Sequence, residues 1–183
     1  MEIINSVNYR KILKYLILVL LGSILLTISA KIKIPFYPVP MTMQTFVVLF
    51  LGLSLGPILG SISVILYLLQ GIYGLPVFSN TPEKGIGIIY FTGPTMGYLI
   101  GFIFASYISG KFKYDTNLVK TFLKLVISVS TIYILGMSWL GHLIGWDKPI
   151  FELGAKPFLL AEIFKVLILA LLTKFLLRLR KFI

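Results

Sequence analysis

Residues 41–75, MTMQTFVVLFLGLSLGPILGSISVILYLLQGIYGL, decide how this chain folds. The stretch is apolar over more than the length of one membrane span, because a helix needs about 20 residues to cross the hydrocarbon core of a bilayer. Gly56-Pro57 in its middle is a turn signal, and proline suits the first turn of a helix. The stretch therefore predicts two spanning helices, residues 42–55 and 57–70, joined by a tight turn.

Four further apolar runs, bounded by charges or turn residues, bring the prediction to six spans. They cover residues 15–30, 88–109, 122–144 and 157–177. A signal peptide would resemble the first run, but no small-x-small cleavage pattern precedes Lys31 and five more apolar segments follow. Gly93-Pro94 predicts a kink near the start of the fourth span, and the Gly- and Pro-rich residues 71–87 predict a loop.

The composition predicts an all-α membrane protein with a single domain over residues 1–183. Of its 183 residues 58% are apolar and 13% charged, and the mean hydropathy is +0.99, whereas soluble chains have about 45–50% apolar and about 25% charged residues. The absence of cysteine excludes disulfides and thiolate chemistry, and a single histidine argues against an imidazole metal cluster. The glycines near Gly56 lack the lysine of a phosphate loop, so we expect no ATP site of that type.

The 17 basic residues mark topology rather than a nucleic-acid surface, because they separate apolar runs instead of sharing one polar face. With six spans, eleven of them lie on the side of the termini and five on the other side. The positive-inside rule then predicts cytoplasmic termini, with residues 31–41, 71–87 and 147–156 facing outward.

Glu162 and Lys165 are the charged residues that fall inside an apolar run. Each would cost about 2.5–3.5 kcal/mol at the centre of a lone helix, so each requires a reason to be there. Three residues apart, they project from one helix face, roughly 8 and 12 Å from the outer end of the last span. Either the two form a pair that holds helices together, or they face a cavity and bind a ligand that offers both donors and acceptors.

Other polar side chains are also candidates for a binding site. The amide of Asn80 offers a donor and an acceptor to a ligand, although asparagine is also a common turn residue. Gln44 in the second span suits a ligand or a bond between helices. Tyr98, like Tyr90, is either a ligand contact or a packing residue. His142 is either a proton carrier or, with Trp residues nearby, a residue of the membrane interface.

Three runs resemble the BioY family, the biotin-capturing S subunits of energy-coupling factor (ECF) transporters. They are PVPMTMQTFVVLFLGLSLGP (38–57), YLLQGIYGLPVFSN (67–80) and FTGPTMGYLIGF (91–102). The resemblance extends from about Ala30 to the C-terminus. It implies a six-helix bundle in a prokaryotic plasma membrane that binds biotin from outside. It also implies a transmembrane scaffold subunit and two cytoplasmic ATPases as partners, so that this chain itself would bind no cofactor.

The resemblance also implies roles for particular residues. The family's Asp-x-x-Lys motif corresponds to Glu162 and Lys165, with a carboxylate that is one methylene longer. These two residues and Asn80 would meet the ureido ring of biotin, whose two N–H groups and one carbonyl complement them, against an apolar wall that includes Val77 and Phe78. The small residues spaced by four that S subunits present to the scaffold correspond to Ser23 and Thr27, which would form the docking face.

Three alternatives stay open at the level of sequence. The same architecture would serve the capture of a different vitamin. A small intramembrane enzyme would use Glu162 as base and His142 as acid. A ligand-free membrane scaffold would use the buried charge pair only to hold helices together.

Overall fold

The computed structural model describes residues 9–34, 37–83, 85–115 and 117–182, of which most are helical. Lys84, one of the five basic residues predicted to face outward, lies outside this part of the chain. Two short strands, β1 (Lys33–Ile34) and β2 (Met41–Thr42), form an antiparallel ribbon in which Lys33 is opposite Thr42. The helices are α1 (Tyr9–Lys31), α2 (Gln44–Ile72), α3 (Ile88–Phe91), α4 (Met96–Lys111), α5 (Leu118–Ile144), α6 (Ile150–Gly154) and α7 (Leu159–Lys181), with a 3₁₀ turn at Lys156–Phe158.

Helix α2 consists of two antiparallel arms, residues 44–55 and 57–72, that meet at Gly56. Gly56 has φ 85° and ψ 176°, a backbone conformation that residues with a side chain rarely adopt. The side chains of Gln44 and Tyr67 are hydrogen-bonded at 2.8 Å, although in a straight helix these residues would lie roughly 35 Å apart. The tight turn predicted at Gly56-Pro57 is therefore confirmed.

The fourth predicted span, residues 88–109, is not one continuous helix. α3 ends after one turn, residues 92–95 form a turn around Gly93-Pro94, and α4 then starts at Met96. The indole of Trp139 on α5 donates a hydrogen bond of 2.9 Å to the carbonyl of Gly93 and so holds this turn against the bundle. Proline ends the preceding helix here because it has no N–H to donate.

Close approach of α2, α4 and α5 depends on glycine. A Cβ at Gly52 would lie 2.3 Å from the carbonyl oxygen of Ser106 on α4, and one at Gly101 would lie 2.7 Å from the Cα of Ile132 on α5. Small residues allow helix backbones to approach in this way in membranes. At the end of the bundle opposite the ribbon, the Arg180 guanidinium donates to the carbonyl of Gly110 at 2.9 Å and ties α7 to α4.

Three helices in the described part of the chain are long and apolar enough to cross a membrane, namely α1, α2 and α5. Their outward faces are rich in exposed aliphatic residues such as Leu20 and Ile24, as expected of surfaces in contact with lipid. The count of six spans and the cytoplasmic position of the termini stay predictions.

Candidate functional site

Glu162, Lys165 and Thr45 form a buried polar cluster between α7 and the first arm of α2. Glu162 lies in the first turn of α7, and Glu162 and Lys165 are only 5% and 6% exposed. The ammonium of Lys165 is 2.7 Å from Glu162 Oε1, and the Thr45 hydroxyl donates to the same oxygen at 2.7 Å. Lys165 also donates to Thr45 Oγ1 at 3.0 Å and to the carbonyl of Thr42 at 2.7 Å.

This arrangement distinguishes the two charged residues. Lys165 has three protein acceptors for its three N–H donors, so its hydrogen-bonding capacity is used within the chain. Glu162 Oε2, by contrast, is buried and makes no hydrogen bond of standard geometry to any residue that the structure describes. The Tyr133 hydroxyl lies near this carboxylate and interacts with it both as a charge neighbour and as a hydrogen-bonding partner outside standard geometry. A buried carboxylate oxygen that lacks a donor strongly favours binding of a group that carries one.

Glu162 lines a cavity that lies at the ribbon end of the bundle. About 550 Å³ of space free of protein atoms lies between its lining residues, the open mouth included. Three helices begin at this cavity, because α2 starts at Gln44, α4 at Met96 and α7 at Leu159. Further walls come from two segments outside the long helices. These are Val39 and Pro40, next to the ribbon, and Phe78 and Ser79 in the loop that follows α2.

Aromatic rings form much of the wall. The Phe78 ring is stacked on Tyr90 with a centroid distance of 5.0 Å, and it meets Tyr67 edge-on at 5.5 Å. On the opposite side, the Tyr133 ring lies 6.4 Å from that of Phe158. A flat, partly apolar ligand fits such walls.

Hydrogen bonds among the lining residues fix the polar groups of the wall. The Gln44 amide donates to the Tyr67 hydroxyl, which donates in turn to the carbonyl of Val77 at 3.3 Å. The hydroxyls of Ser79 and Tyr90 are 3.0 Å apart. The Tyr98 hydroxyl donates to the carbonyl of Gly154 at 2.8 Å. These bonds tie polar side chains of the wall to one another or to backbone carbonyls behind the wall, so the polar groups have fixed positions before any ligand binds.

The structure brings some of the predicted binding residues to the cavity and leaves others beside it. Glu162, Gln44 and Tyr98 line it. Lys165 lies behind Glu162 and does not line the cavity. Asn80 lies in a neighbouring cleft that shares Tyr90 with the cavity, and its side-chain oxygen accepts a hydrogen bond of 3.0 Å from Lys33. Of the predicted apolar wall, Phe78 lines the cavity and Val77 packs in the core instead.

The docking face predicted at Ser23 and Thr27 stays a prediction, and Ser23 does not reach the surface of the chain. Ser23 is fully buried, and its hydroxyl donates to the Gln70 side chain on the second arm of α2. Thr27 is half-buried, and its hydroxyl donates to the carbonyl of Ser23 at 3.0 Å. Hydroxyl groups in an apolar environment turn toward polar partners, and the partner here lies within the same bundle. The outward face of α1 consists of larger aliphatic residues.

His142 lies apart from the charged cluster. It is exposed near the end of α5, its ring is 5.7 Å from that of Trp139, and it is not among the residues that line the cavity. The alternative of an intramembrane enzyme required Glu162 and His142 to act on one substrate. The structure separates the two residues and gives no support to that alternative.

Sequence reasoning missed Thr45 and Tyr133. Thr45 follows Gln44 and resembles any hydroxyl residue of an apolar helix, and Tyr133 lies in the middle of an ordinary apolar run. Their importance follows from contacts with Glu162, which is 117 residues away from Thr45 along the chain. The packing of α7 against α2 and α5 is the signal that would have identified them.

The fold and the site define a helical membrane protein with a ligand cavity at one end. The fold is similar to that of a crystal structure of the S-component for biotin from an ECF-type ABC transporter, with a TM-score of 0.75, 26% sequence identity and coverage of 95% of this chain and 94% of the other. The BioY family model matches residues 4–182, and the chain belongs to that family.

Relatives in other organisms agree with this assignment. The "Probable biotin transporter BioY" of Pyrococcus horikoshii is 38% identical over 152 residues, which are 81% of this chain and 86% of the relative. The "Biotin transporter BioY" of Thermotoga maritima is 35% identical over 158 residues, 86% of this chain and 90% of the relative. These relatives are transporters and not enzymes. The chain is a multi-pass membrane protein of a transport family.

Proposed function

We propose that this chain binds biotin from the outer side of the membrane and is the substrate-capturing subunit of an ECF-type importer. The relatives named above are biotin transporters, and the S-component with a similar fold is one for biotin. The observation that carries the proposal is Glu162 Oε2, a buried carboxylate oxygen at the cavity that receives no hydrogen bond of standard geometry from the described residues.

The chemistry of biotin matches the cavity. The ureido ring carries N–H donors for Glu162 Oε2, and the bicyclic ring suits the walls of Phe78 and Tyr90. Gln44 and Tyr98 lie along the same cavity and complete its polar lining. In this arrangement Lys165 holds the carboxylate in position rather than contacting the ligand, and Asn80 lies beside the mouth of the cavity.

Transport requires partners, because the sequence contains no phosphate loop. We propose a transmembrane scaffold subunit and two cytoplasmic ATPases as these partners, with ATP hydrolysis confined to them. In this scheme residues 1–183 form one six-span domain in the cytoplasmic membrane of a prokaryote, both termini lie in the cytoplasm, and the chain binds no cofactor of its own.

The proposal is tested by titrating detergent-solubilised protein with biotin in a calorimeter. The wild-type chain should bind biotin in preference to the other vitamins of a panel. Glu162→Gln should weaken binding on the order of 10- to 100-fold, because a hydrogen bond to a charged group contributes about 1.5–3 kcal/mol. Glu152→Gln is the matched control, since Glu152 is an exposed acid paired with Lys156 and lies outside the cavity lining.

Two results would contradict the proposal. Absence of biotin binding by folded wild-type protein would exclude biotin as the ligand. Wild-type affinity in the Glu162→Gln variant would exclude Glu162 as a residue that binds biotin.

A further inference from the structure

Two lysines hold the loop that forms one wall of the cavity. Lys31 is the last residue of α1, and Lys33 follows in β1. The ammonium of Lys31 donates to the carbonyls of Phe78 and Thr81 at 2.8 and 3.1 Å and to the Thr81 hydroxyl at 3.2 Å. The ammonium of Lys33 donates to the carbonyl of Ser79 at 2.7 Å and to the Asn80 side chain at 3.0 Å. We call these five contacts the lysine clasp.

The clasp satisfies a loop that has few other polar contacts. Residues 78–81 carry no charge, and within the turn Thr81 donates its N–H and its hydroxyl to the carbonyl of Phe78. The carbonyls of Ser79 and Thr81 point to the lysines. Hydrogen bonds from charged donors are shorter and stronger than those between neutral groups. The position of the turn therefore depends on two side chains from a segment more than 40 residues earlier in the chain, together with the Tyr90 hydroxyl, which contacts the Ser79 hydroxyl and the N–H of Asn80.

The clasped turn carries part of the cavity wall. Phe78 and Ser79 both line the cavity, and Phe78 packs so closely against Gly71 that a Cβ there would lie 2.1 Å from its ring. Withdrawal of the turn would remove the Phe78 ring from between Tyr67 and Tyr90 and open this side of the cavity. The clasp is therefore in a position to oppose escape of a bound molecule.

The clasp is also joined to the ligand-binding cluster by the ribbon. Lys33 is opposite Thr42 in the ribbon, and the carbonyl of Thr42 accepts the ammonium of Lys165. Displacement of β1 would therefore disturb both the turn held by Lys33 and strand β2, which is held by Lys165.

We infer that Lys31 and Lys33 are positioning residues that set the residence time of the ligand by holding residues 78–81 against the cavity. The inference rests on the proposed function for the identity of the ligand. It concerns the dissociation rate and assigns neither lysine a direct contact with biotin.

The test compares the variant Lys31→Met/Lys33→Met with wild type in stopped-flow dissociation of a fluorescent biotin analogue. Dissociation should become roughly five- to tenfold faster, since charge-assisted hydrogen bonds to the wall are lost. Hydrogen exchange of residues 78–81 should rise in the ligand-free protein, a measurement that requires no biotin. Lys33→Met alone, which leaves the end of α1 intact, should give a smaller acceleration.

The matched control is Lys148→Met/Lys156→Met. It removes the same two charges from the side predicted to face outward, where these lysines pair with Asp147 and Glu152 and not with residues 78–81. The inference is overturned if dissociation from the clasp variant stays within twofold of wild type, or if the control pair accelerates dissociation equally. Either result leaves the proposed function standing, because wild-type binding of biotin is measured separately.

Discussion

Replacement of Lys165 by methionine distinguishes two roles of the buried charge pair, stabilisation of the fold and binding of the ligand. The change removes the ammonium and its contacts with Glu162, Thr45 and Thr42, and leaves a carboxylate that is 5% exposed without its cation. Breaking a buried pair in this way costs about 3–5 kcal/mol. At about 2–4 °C per kcal/mol for a chain of this size, the Tm of Lys165→Met should fall by roughly 6–20 °C.

The double variant Glu162→Gln/Lys165→Met provides the control. It removes both charges, and replacement of a whole buried pair by neutral groups is often close to neutral for stability. We expect its Tm to recover most of the loss, whereas its affinity for biotin stays as low as that of Glu162→Gln. Thermal unfolding in detergent and calorimetric titration of the same samples measure the two quantities. Wild-type Tm in Lys165→Met, or wild-type affinity in the double variant, would refute the reasoning.

Two further substitutions test contacts that the sequence did not reveal. Thr45→Val removes the hydroxyl that donates to Glu162 and accepts from Lys165, so calorimetry should show affinity for biotin reduced about tenfold, and the Tm should fall because a buried donor loses its acceptor at a cost of about 1–3 kcal/mol; unchanged affinity would argue against a positioning role. Gly52→Ala places a methyl group 2.3 Å from the carbonyl oxygen of Ser106, and overpacking of this kind costs about 1–3 kcal/mol. Its Tm should fall, while that of the exposed control Leu160→Ala should not, and an equal Tm in both would show that the two helices have room to separate.

Much of the fold followed from local sequence signals. Gly56-Pro57 predicted the reversal between the arms of α2 because glycine and proline restrict the backbone wherever they occur. The interruption at Gly93-Pro94 was underestimated as a kink. A proline does not report by itself whether the helix resumes in the same direction, and here the contact of Trp139 with Gly93, from a distant helix, holds the turn.

The candidate site could be predicted at positions where a charged side chain is energetically costly within an apolar helix. Glu162 and Lys165 stood out because charges in an apolar run need compensation. The division of labour between them, with Lys165 satisfied inside the chain and Glu162 directed to the cavity, depends on Thr45 and Thr42 from another helix and strand. The burial of Ser23 could not be predicted for a similar reason, since spacing along α1 identifies a small-residue face without showing which neighbour that face meets.

The start of α2, α4 and α7 at one cavity has an electrostatic consequence. Backbone N–H groups in the first turn of a helix lack acceptors within that helix, and the aligned peptide dipoles place about half a positive charge at each of these ends. Three such ends surround a wall of rings and polar groups that includes the Glu162 carboxylate, which is paired with Lys165. Negative charge in this space is stabilised by about 0.3–1 kcal/mol for each helix, so the three helix ends would offset part of the repulsion between Glu162 and the carboxylate of an acidic ligand.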